Sequence, residues 1–382
     1  MIESIRLKNY KAFEDTGLIT IAPVTLIMGK NSSGKSSLLK LFPFISGAVG
    51  RGHDSECRLY PVNGVRTLRL GARFEDLFHF RKFVNLGIEL HYSGNVALTA
   101  SFLMNNGRFL PSSYSVANKD EMQSIEFTAE DAASAPCALT APELLEKAGV
   151  DESTLSVNVR YIGPLRCFAP YRIEREEASS DTYVGYDGCK TYGILLHSWL
   201  TDREVFDAVS AWMAENMEGQ ALAFDTIDTQ GTLFSLMVDR KGIKVNIADV
   251  GVGLMQVLPV IVQTYLHNPG TITVVEQPGI HLHPAAHAAI ASRMAESSRT
   301  TGQRFVIESH SENLVLGLRR AIANPTFPAG SDDVRIYFIN SEEKPFSISE
   351  ITIDPKGMLS SWPTGVFSES ASLLEEIEEF QS

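Results

Sequence analysis

The nine residues GKNSSGKSS at positions 29–37 have the spacing G-x-x-x-x-G-K-[ST], which suits one chemical task. The glycines let the chain wrap closely, so that backbone N–H groups point at a string of phosphates. The lysine that closes the loop reaches β- and γ-phosphates, and the next hydroxyl can coordinate Mg²⁺. The binding candidates are therefore Gly29, Lys30, Asn31, Ser32, Ser33, Gly34, Lys35, Ser36 and Ser37. The implied ligands are ATP and Mg²⁺, with Ser36 as a metal ligand.

A second stretch, TITVVEQPGIHLHP at 271–284, reads as a buried strand running into a turn. A strand serving such a loop is expected to end in two acids, one for the metal and one for the attacking water. Here it ends in Glu276 and Gln277. In one register Glu276 holds Mg²⁺ and Gln277 stands in the water-activating position, where an amide orients water but accepts no proton. In the other register Glu276 is the base, and the metal is left to Ser36 and water. Both registers remain open; the first, with Gln277 in the usual place of the catalytic Glu, expects slow turnover. His310 follows a further apolar strand in FVIESHSENL and is a candidate for a bond to the γ-phosphate. In ADVGVGLMQVLPVI, at 248–261, two glycines precede an apolar helix, whose first N–H groups can face an anion. This loop lies far along the chain from 29–37, so Gly251, Val252, Gly253 and Gln256 are expected to contact the phosphate of a neighbouring molecule. The histidines of HLHPAAH, His281, His283 and His287, lack the further ligands that a zinc site needs. His281 and His283 are expected on a turn that faces a second subunit.

These residues need rigid elements. The spacing predicts a strand over IESIRLKNYKAF, a buried strand at 24–28 and a helix from GKSSLLKLFPFI. Period-two alternation from 65 to 109, with a turn at Ser93-Gly94-Asn95, predicts an antiparallel sheet. Residues 111–151, rich in Ser, Ala, Glu and Pro, are expected to form a surface insertion with a short helix at 143–148. SVNVRYIGPLR is expected as a strand, a helix over 191–217 should break near Thr201-Asp202, and a hairpin should turn at Lys241-Gly242. Helices at 254–266, 285–298 and 312–323 then alternate with strands at 271–275, 305–307 and 334–339, which implies a parallel sheet covered by helices. The expected division is 1–110, an N-terminal ATPase lobe; 111–232, insertion and helices; 233–345, the second lobe; and 346–382, a C-terminal segment.

The chain has 382 residues, 44% of them hydrophobic and 21% charged, with a net charge of −13. That balance fits an ordinary globular protein and argues against a broad nucleic-acid-coating surface. Cys57, Cys137, Cys167 and Cys189 have neither metal-ligand nor disulfide-scaffold spacing. No signal peptide and no apolar run of about 18 residues is found, so a cytoplasmic, non-membrane protein is expected.

With these motifs in order, the chain resembles the ABC/SMC-type ATPases of prokaryotic defence and repair. These include the overcoming-lysogenization-defect type and the ATPase subunits of the Septu and PARIS anti-phage systems. The resemblance is to a short subgroup with EQP…HLHP, DVG-x-G…Q-x-LP and ID-x-x-G…WP-x-G-x-F segments. Here these read Glu276-Gln277-Pro278, Asp249 to Gly253, and Ile353-Asp354 through Gly357, Trp362-Pro363 and Gly365-Val366-Phe367. YIGPLR at 161–166 and VGYDG at 184–188 also resemble this group. Met255 stands where the subgroup often has Ser, and Gly279 replaces a common Glu. LGARFEDLF, at 70–78, occupies the place of a Q-loop but offers no glutamine. The stretch between the two phosphate loops has no heptads, and no Toprim nuclease segment is found. The resemblance implies an α/β, ABC-type head with a mostly parallel sheet, an antiparallel β subdomain and no long coiled coil. It also implies an ATP-promoted homodimer or higher oligomer that controls a separate effector, such as a nuclease or toxin. A phage-derived trigger or DNA would act on it; the alternative is a clamp that binds DNA ends in repair.

Overall fold

A computed structural model of the chain describes residues 1–48, 70–82, 84–106, 108–119, 121–134, 139–327, 329–342 and 344–362. Cys57, Cys137, the 65–69 part of the expected alternation and everything from Pro363 onward lie outside these residues.

The central layer is a six-stranded sheet. Its order is Ser347–Ile351, Val334–Asn340, Val24–Gly29, Arg304–Glu308, Thr271–Glu276 and Asn158–Ile162. Every pairing is parallel except that of the edge strand Ser347–Ile351 with its neighbour. Helices Pro284–Thr300 and Glu312–Ala323 form the crossovers between successive strands, since parallel neighbours need long connections that return over the sheet. Strands covered on both faces read as apolar runs rather than alternating ones. VTLIMG and TITVVE are accordingly buried along their whole length.

The side chains of each strand alternate between two cores. Leu26, Met28, Val275, Phe305, Ile307 and Ile336 pack with the helices on one face. Ile27, Ile272, Val274, Val306, Tyr337 and Ile339 pack on the other, against helix residues Leu38, Leu39 and Phe42 and a second sheet. Among the described residues, that second sheet has seven strands, all antiparallel, including Ile2–Tyr10, Leu86–Tyr92, Val96–Asn105, Arg108–Asn118 and Glu121–Glu126. The turn at Gly94 and Asn95 takes positive φ at both residues, as a tight hairpin requires.

Two expectations change here. Residues 111–126 are not a surface insertion but continue the antiparallel sheet. Their Ser-rich composition hides an alternation that buries Leu110, Tyr114 and Val116, and Pro111 sits beside a register shift where a ladder N–H is dispensable. The short helix of that stretch is present at Pro142–Lys147. A strand also precedes the expected hairpin: Gln220–Thr226 pairs with Leu233–Arg240, which turns at Lys241 and Gly242 into Ile243–Asn246. The helical stretch breaks as expected into Thr191–Leu200 and Glu204–Asn216. Asp202 closes the break, its Oδ1 accepting from the Glu204 N–H at 3.0 Å and from Ser198 Oγ at 3.1 Å.

Residues 354–358 of the C-terminal segment fold back on helix Glu312–Ala323. Asp354 Oδ1 accepts the N–H groups of Lys356 and Met358, and Arg319 Nε donates to the Gly357 carbonyl at 2.7 Å. Gly357 has φ +78, and a Cβ there would stand 2.7 Å from the Arg319 carbonyl, so both conformation and space call for glycine. Among the described residues the longest helix is Pro284–Thr300, with 17 residues, and none is long and apolar enough to cross a membrane.

Candidate functional site

Three neighbouring parallel strands end at one edge of the central sheet, and their ends carry the polar groups. Val24–Gly29 opens into the 29–37 loop, and Gly34 caps the short helix Lys35–Leu39. Gly29 has φ +149, and a Cβ on it would lie 2.7 Å from Ser33 Oγ and 2.8 Å from the Ile339 carbonyl. Gly34 has φ +97, and its Cβ would stand 3.0 Å from the Phe13 ring. Both glycines of the motif are therefore required by the fold of the loop itself. Lys35 is buried and its Nζ donates to the carbonyls of Gly29, at 3.0 Å, and Lys30, at 2.6 Å. Burial pushes its ammonium below the ordinary lysine value, with Glu308 opposing. Ser33 is fully buried and its Oγ has no hydrogen-bond partner. A loop with an orphaned buried hydroxyl and a buried ammonium turned on its own carbonyls fits a phosphate chain. Lys30 reaches outward to an exposed ion pair with Glu342.

Glu276 ends the second strand, 6% exposed. Tyr161 Oη donates to its Oε1 at 2.5 Å, and Arg166 Nη2 donates to its backbone carbonyl at 2.6 Å. Burial pushes the Glu276 carboxyl up; the Tyr161 bond pulls it down and Glu308 adds to the rise. Gln277 turns the chain in the left-handed region, φ +48, and its N–H donates to the Glu308 carbonyl at 2.9 Å. A non-glycine residue held there at a strand end is a costly conformation of the kind that gathers at functional sites.

Glu308 ends the third strand, 5% exposed and paired in register with Glu276. Its Oε2 accepts a hydrogen bond from Ser36 Oγ at 2.9 Å. The sequence reading passed over this residue. Its signal was present, since VVE and VIE close two adjacent apolar strands with nearly the same letters. His310 stands beside the Gly29 backbone and the Lys35 charge. Though His310 is exposed, desolvation by its surroundings and the Lys35 charge hold its imidazole below the ordinary value, against the pull of the Gly29 backbone. Tyr161 and Arg166, noted only as part of a resembling segment, support the second strand from behind. Arg166 is buried, and burial pushes its guanidinium down to about 10.

The 251–253 loop is not part of this hydrogen-bonded cluster. It packs against the turn after the second strand: a Cβ on Gly253 would meet the His281 carbonyl at 2.5 Å and Leu282 Cδ2 at 3.1 Å. Gly251 and Val252 are exposed, and nothing lies within 4 Å of a Cβ on Gly251. Gln256 departs from expectation. It is buried, its Oε1 accepting the Arg166 N–H at 2.9 Å and its Nε2 donating to the Arg166 carbonyl at 2.8 Å. Its amide is bound at both ends inside the protein, so it is withdrawn from the expected phosphate contacts. Met255 is likewise core, with the Ala169 N–H at 3.5 Å from its sulfur. His281 and His283 are exposed, and they line a cavity of about 350 Å³ together with Gly251 and Gly253. His287 differs: its Nδ1 is 2.6 Å from Ser311 Oγ, and a Cβ on Gly279 would touch its ring at 2.7 Å. That contact explains why glycine stands at 279.

Residues 24–316 match the family model described as "AAA domain, putative AbiEii toxin, Type IV TA system". Residues 330–377 match one described as "Protein of unknown function (DUF3696)". No curated protein matches the chain. Among solved structures, an Smc head bound to the C-winged helix domain of ScpA is similar with a TM-score of 0.54 at 13% identity, over 92% of this chain and 98% of that one. An Smc head with an extended coiled coil from Pyrococcus furiosus, bound to the C-terminal domain of ScpA, gives a TM-score of 0.46 at 12% identity, over 99% of both chains.

Proposed function

The chain belongs to the AAA-domain family matched over residues 24–316, and on that premise we propose that it is a nucleotide-operated switch, an ABC/SMC-type ATPase that hydrolyses slowly. The observation that carries this reading is the gathering of Lys35, Ser36, Glu276 and Glu308 at the ends of three adjacent strands. In this proposal the N–H groups of Gly29 to Ser37 cradle the ATP phosphates, and Lys35 exchanges its two loop carbonyls for the β- and γ-phosphates. Mg²⁺ accompanies the nucleotide and supplies charge neutralisation at the phosphates. Ser36 and Glu276 are its proposed ligands. His310 meets the γ-phosphate, and Gln277 orients the attacking water without taking its proton, which keeps turnover slow.

Gly251, Val252 and Gly253 are proposed to complete the site of a second copy, so that ATP holds two heads together. Bound nucleotide then shifts the population toward the associated state by its extra contacts there. What the switch controls is a separate effector of nuclease or toxin type in cytoplasmic anti-phage defence, released by a phage-derived trigger or DNA. The family description, with its toxin of a type IV system, supports that setting. The Smc heads bound to ScpA domains lend precedent for a head that engages a second protein.

The test is ATP titration by calorimetry. Lys35→Ala should weaken ATP binding by at least about tenfold, about 1.4 kcal/mol. Unchanged affinity would end the reading.

A further inference from the structure

We propose that Glu308 is the second acid of the site and a ligand of the nucleotide's Mg²⁺ together with Ser36. The acid pair expected at the end of one strand is thus divided between two neighbouring strands. The proposal rests on reading the 29–37 loop as an ATP site.

Position 277 holds a glutamine, so the second strand alone offers a single carboxylate. The third strand supplies another in register beside it. Ser36 is the hydroxyl that the loop's spacing assigns to the metal, and it already bonds to Glu308 rather than to Glu276. The Glu276 carboxylate is instead held by Tyr161. The main chain fixes the two strand ends together through the Gln277 N–H bond to the Glu308 carbonyl. Glu308 therefore has the position and the bond that a metal ligand next to Ser36 requires.

Charge points the same way. Two carboxylates buried side by side repel each other. Glu308 acts electrostatically on the Lys35 ammonium, opposing the effect of its burial. Once Lys35 turns to the phosphates, both carboxylates face a polyanion in a poorly solvated pocket. A hard divalent cation with oxygen ligands relieves that conflict. Among the described residues no group of three or more His, Cys, Asp or Glu could hold a metal unaided. That suits Mg²⁺, which nucleotide sites bind through one or two carboxylates completed by phosphates and water.

The test compares full-length wild type, Glu308→Gln, Glu308→Asp and Lys35→Ala by calorimetry with ATP, in EDTA and in Mg²⁺. Mn²⁺ paramagnetic resonance of each ATP complex is recorded in parallel. Glu308→Gln keeps the size of the side chain and an oxygen for Ser36 but removes the charge. In EDTA it should bind ATP at least as tightly as wild type. Its Mg²⁺-dependent gain in affinity should be smaller by roughly tenfold or more, and the bound-Mn²⁺ signal should weaken. Glu308→Asp should recover part of both. A full Mg²⁺-dependent gain with an unchanged Mn²⁺ spectrum in Glu308→Gln overturns the proposal while leaving the ATP site standing. Should Glu308→Gln lose its melting transition, Glu308→Asp decides: an unaltered Mn²⁺ spectrum, despite the shortened side chain, overturns the proposal. ATP affinity unaffected by Lys35→Ala in EDTA removes the ATP site, and the role of Glu308 with it.

Discussion

At the scale of single residues, the unusual feature is a left-handed glutamine between two buried acids. Gln277 pays for a disfavoured conformation, and its amide is proposed to face the attacking water. A carboxylate at that position would act as a general base, a contribution of about 10² to 10⁴ in rate where one is well placed. Gln277→Glu should therefore hydrolyse ATP faster than wild type in a phosphate-release assay. Gln277→Ala should slow the reaction modestly, and Glu276→Gln should abolish it. A Gln277→Glu protein that binds ATP and turns over no faster would mean that position 277 does not see the water. Glu308 is not legible at this scale, because a phosphate loop leads one to expect two adjacent acids on a single strand. Register between strands that are far apart in sequence is a tertiary fact, and the repeated VVE and VIE endings become a pair only when the sheet forms.

At the scale of elements, the parallel sheet and its crossover helices were legible, because long apolar runs and helical periodicity mark fully covered strands and their covers. The antiparallel strand Arg108–Asn118 was not. Its inward residues are spaced by Ser, Asn and Pro, whose preference for turns outweighs a sparse alternation until neighbouring strands supply the pairing. The sequence treats the two glycines of the 251–253 loop alike, and the fold does not. Gly253 is wedged against the His281 carbonyl, and Gly251 is open. Gly253→Ala should thus destabilise the protein by about 1–3 kcal/mol through overpacking. Gly251→Ala should stay within about 0.5 kcal/mol of wild type. Chemical denaturation of the two variants checks the pair, and equal effects would contradict the packing described.

At the scale of the whole molecule, the open face at Gly251 gives a clean probe of self-association. Gly251→Glu places a negative charge, without a steric clash inside its own chain, where a neighbour's phosphate is proposed to sit. The variant should bind ATP like wild type and lose ATP-promoted association in analytical ultracentrifugation. Association that persists would assign the loop another task. The wedge at Gly253 adds a mechanical consequence. The packing of the Gly253 backbone on His281, and the anchoring of Gln256 to Arg166 and so to the Glu276 carbonyl, connect the outward loop to the floor of the pocket. In the proposed dimer, a pull on the outward loop would pass through the His281 turn and Arg166 to the end of the Glu276 strand, so that each head would register the other's grip.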